Sequence, residues 1–82
     1  NPFNPSTVIR FAVPIESRVS VTVYNQIGRE VARVADGSFG PGVHEARWNA
    51  AGMASGLYFY HINAVGVKGE RFSRTSKMLL MR

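Results

Sequence analysis

The amino-acid sequence predicts an all-β fold, an immunoglobulin-like antiparallel β-sandwich of about seven short strands. Three features of its 82 residues lead to this prediction. Apolar and polar side chains alternate with a period of two along most of the chain, as they do in half-buried strands. The 8 glycines and 4 prolines fall mainly between the alternating stretches, where they indicate turns. Hydrophobic residues make up 45% of the chain, which is enough to build a core.

The first two predicted strands show the clearest alternation. One covers residues 7–13 and ends at Pro14, because proline cannot donate a hydrogen bond to a strand ladder. The other covers residues 18–24, where three valines alternate with polar or aromatic side chains. The side chains expected in the core are Ile9, Phe11 and Val13 in the first strand and Val19, Val21 and Val23 in the second.

A tight turn and a return strand follow. Residues 25–28 predict a type I turn closed by a glycine bulge, since Gly28 can adopt a positive φ without steric cost. Residues 29–35 form the predicted return strand, and the glycine-rich residues 36–42 form a predicted loop. Simple alternation places Val31, Arg33 and Ala35 on one face and Glu30, Ala32 and Val34 on the other.

The second half of the chain predicts three more strands. They cover residues 43–49, 57–64 and 72–81, with short loops at 49–56 and 66–69. The faces expected to be buried carry His44, Ala46 and Trp48 in the first, Tyr58, Tyr60, Ile62 and Ala64 in the second, and Phe72, Met78 and Leu80 in the third.

The chain has the size of one small domain. Six strands are defined, and residues 1–6 are expected to add edge pairing that brings the count near seven. No apolar run approaches the roughly 20 residues that span a bilayer as a helix, and there is no cysteine. Because the sequence starts with Asn rather than Met, we expect residues 1–82 to be a module excised from a larger protein.

The residues that could carry chemistry are scattered. His44 and His61 lie on different predicted strands without a third metal ligand on the same face. Glu16, Asp36 and Glu70 fall near turns, where solvated carboxylates are common, and do not form the close pair that glycoside hydrolysis needs. We therefore expect no catalytic, cofactor or metal site, and we interpret both histidines as structural residues.

The net charge of +5 is concentrated near the C-terminus. Residues 67–82 contain five of the ten basic residues, one acid and a single aromatic residue, Phe72, which we assign to the core. Nucleic-acid binding would require aromatic side chains among the basic ones on one face, so no nucleic-acid partner is expected. A basic edge strand that resists self-pairing, or one bound by a protein receptor, explains the charge.

Five stretches, in a fixed order and spacing, carry a resemblance to a known family. They are Asn1–Thr7, Tyr24–Val31, Gly42–His44 with Trp48, Ser55–Tyr60 and Lys77–Leu80. With these stretches the chain closely resembles the type A C-terminal sorting domain of the type IX (Por) secretion system, over essentially all of its residues. The resemblance implies a non-catalytic secretion signal.

The resemblance also implies a location and partners. Such domains follow exported enzymes and adhesins, cross the periplasm with their cargo and are recognised by an outer-membrane translocon. A sortase-like cysteine protease removes many of them at the cell surface. The expected partners are therefore the type IX translocon, this protease and a covalently linked upstream cargo domain. The expected location is the cell surface or the medium.

The family's motifs can be placed on single residues of this chain. Its Gly-x-Tyr strand corresponds to Gly56 and Tyr58, and its terminal Lys-plus-apolar strand corresponds to Lys77, Met78, Leu79 and Leu80. We expect the translocon to recognise these six residues, with the terminal strand adding to a sheet edge of the receptor. Gly56 is expected to allow a close approach of the chain, and Tyr58 to anchor the strand in the core. The terminal segment has one lysine where the family commonly has two.

An Ig-like structural or carbohydrate-binding module is the alternative. The Ig-like domain of the flagellar hook-capping protein is similar in the stretches around Tyr24 and Tyr58. Sugar rings could stack on Trp48, Tyr58, Phe59 or Tyr60, of which only Phe59 is expected outside the core. A weak homodimer through edge strands is a further expectation.

Overall fold

The computed structural model describes residues 6–81 and shows an all-β protein, which confirms the predicted fold class. Its strands are β1 (Ser6–Val13), β2 (Ser17–Tyr24), β3 (Glu30–Phe39), β4 (Gly42–Asn49), β5 (Gly56–Gly66) and β6 (Arg71–Leu80). The described residues thus form six strands rather than about seven. The lead-in Asn1–Pro5 and the terminal Arg82 lie outside these residues. No helix in the described part is long and apolar enough to cross a membrane.

The strands form two antiparallel sheets of unequal width. β1 pairs with β4 in a two-stranded sheet, and the four-stranded sheet has the order β3-β2-β5-β6. β2 and β5 are therefore central strands, whereas β3 and β6 are the edges of the wider sheet. The chain passes from the wider to the narrower sheet between β3 and β4, so β4 lies towards the β3 side and β1 towards the β6 side.

Both sheets contribute to one hydrophobic core. Its buried side chains are Ile9, Phe11, Val13, Val19, Val21, Val23, Ala46, Trp48, Ala50, Tyr58, Ile62 and Ala64. Aromatic rings meet edge to face between the sheets, with centroids 5.3 Å apart for Phe11 and Phe39 and 5.2 Å apart for Trp48 and Tyr58. The inward faces predicted for β1, β2, β4 and β5 are confirmed.

The turn between β2 and β3 has the predicted glycine. Gly28 has a φ of +83°, and its N–H donates to the carbonyl oxygen of Asn25 at 3.0 Å. The Asn25 side-chain oxygen accepts hydrogen bonds from the N–H groups of Ile27 at 3.1 Å and Arg29 at 3.0 Å. Asparagine and glycine therefore define this turn together, one as an acceptor and the other through its backbone conformation.

We expect Gly28→Ala to lower the free energy of unfolding by about 1 kcal/mol, because alanine is strained at this positive φ. No heavy atom lies within 4 Å of the Cβ position, so the cost is conformational and not a clash. Gly37→Ala is the matched control, since that glycine has an equally open Cβ position and no positive φ. Urea denaturation followed by Trp48 fluorescence should show the control at or above wild-type stability. Equal stability of the two variants would contradict this account of the turn.

β3 differs from its prediction in length and in pattern. Residues 36–39, predicted as part of a loop, continue the strand and pair with β2 as far as Ser17 opposite Phe39. Two register shifts leave Val31 and Val34 without a directly opposite residue. Each is a β-bulge, and a bulge breaks the alternation of faces. The predicted alternation is therefore wrong. The side chains that pack against the core are Val31, Ala32, Val34 and Ala35.

β6 is an edge strand whose inner face is only partly covered. Near its C-terminal end, Met78 and Leu80 pack against the core as predicted. Phe72 was assigned to the core as well, but 38% of this residue is exposed. That assignment is wrong because the two-stranded sheet does not extend over the start of β6, where Phe72 lies opposite Ala64.

Candidate functional site

The last rungs of the β5–β6 ladder bring the six predicted site residues together. In this antiparallel register Gly56 is opposite Leu80, Leu57 is opposite Leu79, Tyr58 is opposite Met78 and Phe59 is opposite Lys77. Segments that are distant in sequence thus form one end of an edge hairpin. We call Gly56, Tyr58 and Lys77–Leu80 the terminal site.

Gly56 begins β5 with a φ of +150°, a backbone conformation that residues with a side chain rarely adopt. No heavy atom lies within 4 Å of the position that its Cβ would occupy. The strand start therefore favours glycine because of its φ, and not because of the close approach that we expected.

Tyr58 is buried, as predicted, and holds the start of β5 in place. Its ring packs edge to face against Trp48 of the opposite sheet. Its hydroxyl donates a hydrogen bond to the carbonyl oxygen of Ala54 at 2.7 Å. Tyr58 therefore ties the loop before β5 to the core, and with it the first rungs of the terminal site.

We expect Tyr58→Phe to lower the free energy of unfolding by about 1 kcal/mol, because the Ala54 carbonyl loses its partner while the ring contacts remain. Tyr24→Phe is a suitable control: Tyr24 is half-buried, and its hydroxyl has no hydrogen-bond partner within residues 6–81. Urea denaturation of both variants checks the difference. A Tyr58→Phe midpoint equal to that of the control would contradict a role for the hydroxyl.

The terminal site presents both basic and apolar groups. Met78 and Leu80 face the core, whereas Lys77 and Leu79 face away from it, and Leu79 is 66% exposed. Lys77 forms no ion pair with any described residue. Within residues 6–81, β6 pairs only with β5, so the backbone groups on its other side can bind a further strand.

A groove of about 250 Å³ lies at the same end of the sandwich. It is lined by residues 25–27 of the first turn and by residues 54–58. Apart from Ala54, these residues belong to two of the stretches that carry the family resemblance, and the fold places them side by side. Ile27 at the tip of the turn is 81% exposed. Ile27 is not among the residues predicted from the sequence, because a single apolar side chain in a turn is common on protein surfaces and is no signal by itself.

The two histidines have structural partners. His44 is half-buried between two phenylalanine rings, and its Nε2 lies 2.6 Å from the carbonyl oxygen of Gly40. His61 lies on the outer face of β5, with Nδ1 2.8 Å from the hydroxyl of Thr75. The described residues contain no group of three His, Cys, Asp or Glu side chains that could hold a metal ion.

The aromatic residues considered for sugar stacking face mostly inwards. Trp48 and Tyr58 are buried, and Tyr60 packs against the core. Phe59 lies on the outer face of β5, opposite Tyr24. The geometry therefore leaves one of the four candidates outside the core, as predicted.

This fold defines a class, that of small antiparallel β-sandwich modules, and within residues 6–81 its edge strand β6 pairs on one side only. Residues 1–73 match the secretion system C-terminal sorting domain family, and the chain belongs to this family. It is a C-terminal sorting signal for type IX secretion. No match to a curated protein or to a solved structure is found.

Family membership has three general consequences. The domain interacts with the type IX secretion machinery, it works when fused to an upstream cargo, and it directs export to the cell surface or the extracellular space. The matched residues include Gly56 and Tyr58 but end before Lys77–Leu80. The role of the terminal segment therefore stays a prediction.

Proposed function

We propose that the type IX translocon recognises this domain in its folded state, through the terminal site. The domain itself catalyses no reaction. Cargo fused upstream follows it from the periplasm through the outer membrane, and a sortase-like cysteine protease removes the domain at the cell surface. A receptor strand adds to β6, so backbone hydrogen bonds supply affinity and the exposed side chains supply selectivity.

The observation that carries this proposal is the edge of β6, which pairs only with β5 among residues 6–81. An exposed edge of ten residues is a hazard for aggregation unless it is protected or used. β6 carries three basic residues, Arg71, Arg74 and Lys77, and no acidic one, which disfavours pairing between copies. Lys77, the basic residue of the terminal site, also favours a receptor edge of opposite sign.

The rest of the fold positions this edge. Met78 and Leu80 attach the inner face of β6 to the core, so Lys77 and Leu79 must face outwards. Tyr58 fixes the neighbouring strand, which sets the register of the hairpin. The receptor therefore meets a preformed surface and does not have to order a flexible tail.

An export assay tests the proposal. Residues 1–82 are fused to the C-terminus of a Sec-targeted fluorescent protein in a type IX-competent bacterium, and the cells are fractionated. We expect fluorescence at the surface or in the medium, and its loss in a translocon mutant. The same fluorescent protein without the domain is the control and should stay in the periplasm. Periplasmic retention of the fusion in a host that exports its own sorting domains would contradict the proposal.

A further inference from the structure

A second groove, of about 200 Å³, runs between β1 and β6 at the open side of the sandwich. It is lined by residues 11–13 of β1, by Ile62 and Ala64 of β5, and by residues 72–74 of β6. Ile62 and Ala64 are buried core residues, so the floor is apolar. Phe72 stands at the side of this groove and is more than one-third exposed.

Unpaired backbone edges flank this groove. β1 pairs only with β4, and β6 only with β5, within the described part of the chain. The narrower sheet has two strands and the wider sheet four, so a third strand beside β1 would lie over β6. Such a strand would pair with the backbone of β1 and would bury Phe72.

The groove also has a charge. Arg74 lies on the inner face of β6, opposite Ile62, and is exposed. It forms no ion pair with any residue from 6 to 81, and no acidic side chain lines the groove. A second copy of this chain carries a net charge of +5 and is disfavoured as the occupant. An extended segment with apolar side chains and a carboxylate complements both the floor and Arg74.

We propose that a subunit of the secretion translocon adds an extended acidic segment to the free edge of β1, where it covers Phe72 and pairs with Arg74. This inference rests on the proposed function, because it concerns the same receptor. The contact inferred here differs in location from the one at the terminal site, because it lies on the inner side of β6. The narrower sheet would then gain its third strand only in the complex.

Site-specific photo-crosslinking in cells tests the contact directly. A photoreactive phenylalanine analogue replaces Ala12, which is exposed and lines the groove, in the fluorescent fusion described above. The control position is Ser38, exposed on β3 at the opposite edge of the wider sheet. We expect a crosslink from position 12 to a translocon subunit, identified by mass spectrometry, and none from position 38.

Charge reversal on β6 provides the second test. Arg74→Glu is expected to lower export by about tenfold or more, because it opposes a carboxylate in the groove. Arg71→Glu changes the same charge on the same strand, but Arg71 faces outwards and does not line the groove. We expect the Arg71→Glu variant to be exported at near wild-type level. Circular dichroism of both purified domains verifies that the two exposed substitutions leave the fold intact.

The outcomes separate this inference from the proposed function. An equal loss of export in the two arginine variants would show a general charge effect and overturn the inference. A crosslink from position 12 to a second copy of the domain would overturn it as well. Normal export of Arg74→Glu, together with lost export of variants in the terminal site, would overturn the groove contact but leave the proposed function in place. If export is normal for Arg74→Glu and for the variants in the terminal site, the result counts against both this inference and the proposed function.

Discussion

Replacing Trp48 by alanine is expected to lower the free energy of unfolding by about 3–5 kcal/mol. Trp48 is 4% exposed and is the largest side chain that the two-stranded sheet places in the core. Its edge-to-face contact with Tyr58 joins the two sheets beside the terminal site. A small domain has about 5 kcal/mol of stability in total, so the variant should be largely unfolded or close to it.

Far-UV circular dichroism during urea titration is the suitable measurement, because the substitution removes the only tryptophan. Val43→Ala is the matched control, since Val43 lies on the same strand but is 66% exposed. The control should change the free energy of unfolding by about 0.5 kcal/mol or less. A Trp48→Ala variant that unfolds at the urea concentration of the control would contradict the assigned role of Trp48.

Trp48→Ala also tests whether export requires the folded domain. The terminal site exists only because the register of β5 and β6 brings its residues together. An unfolded domain therefore presents the terminal sequence without the edge strand. In the export assay the Trp48→Ala fusion should stay in the periplasm while Val43→Ala is exported. Normal export of the unfolded variant would show that the translocon binds the linear segment and not the folded domain.

The strands that were predicted correctly bury one face against a single partner surface. In β2, Val19, Val21 and Val23 are fully buried, and every second residue follows from the pleat. Trp48 was placed inwards by the same alternation. A local pattern of this kind predicts burial when the whole strand pairs in one register, because every second side chain then faces the core.

The errors have physical reasons that the pattern does not contain. β3 continues through Gly37 because the backbone of β2 supplies partners there, and tertiary pairing outweighs the turn preference of the residues. Its bulges at Val31 and Val34 depend on the twist of the whole hairpin, which no local alternation records. Phe72 is on the predicted face but exposed, because burial there depends on the width of the opposite sheet.

The terminal site was predictable as two motifs but not as one surface. The family resemblance pointed to Gly56, Tyr58 and the segment Lys77–Leu80, and the ladder register shows that they are neighbours. The groove between β1 and β6 had no sequence signal. It arises from the unequal width of the sheets, a property of the assembled strands.

Deletion of residues 77–82 is expected to abolish export and leave the cargo in the periplasm. The deletion removes the last rungs of the β5–β6 ladder, and with Met78 and Leu80 it also removes contacts to the core. Loss of export could then reflect unfolding as well as lost recognition. The paired substitution Lys77→Glu with Leu79→Glu avoids this, because both side chains face outwards and neither packs against the core.

The double variant should keep the circular dichroism spectrum of the wild type and yet lose export as completely as the deletion. It replaces a lysine that has no ion pair among the described residues, and an exposed apolar side chain, by carboxylates that repel an acidic receptor edge. Arg71→Glu, about six residues or roughly 20 Å away along the same face of β6, is the matched control and should be exported. If the double variant folds and is exported normally while the deletion is not, β6 is needed for the fold and the translocon recognises another surface. If the deletion is exported too, the terminal segment has no part in sorting.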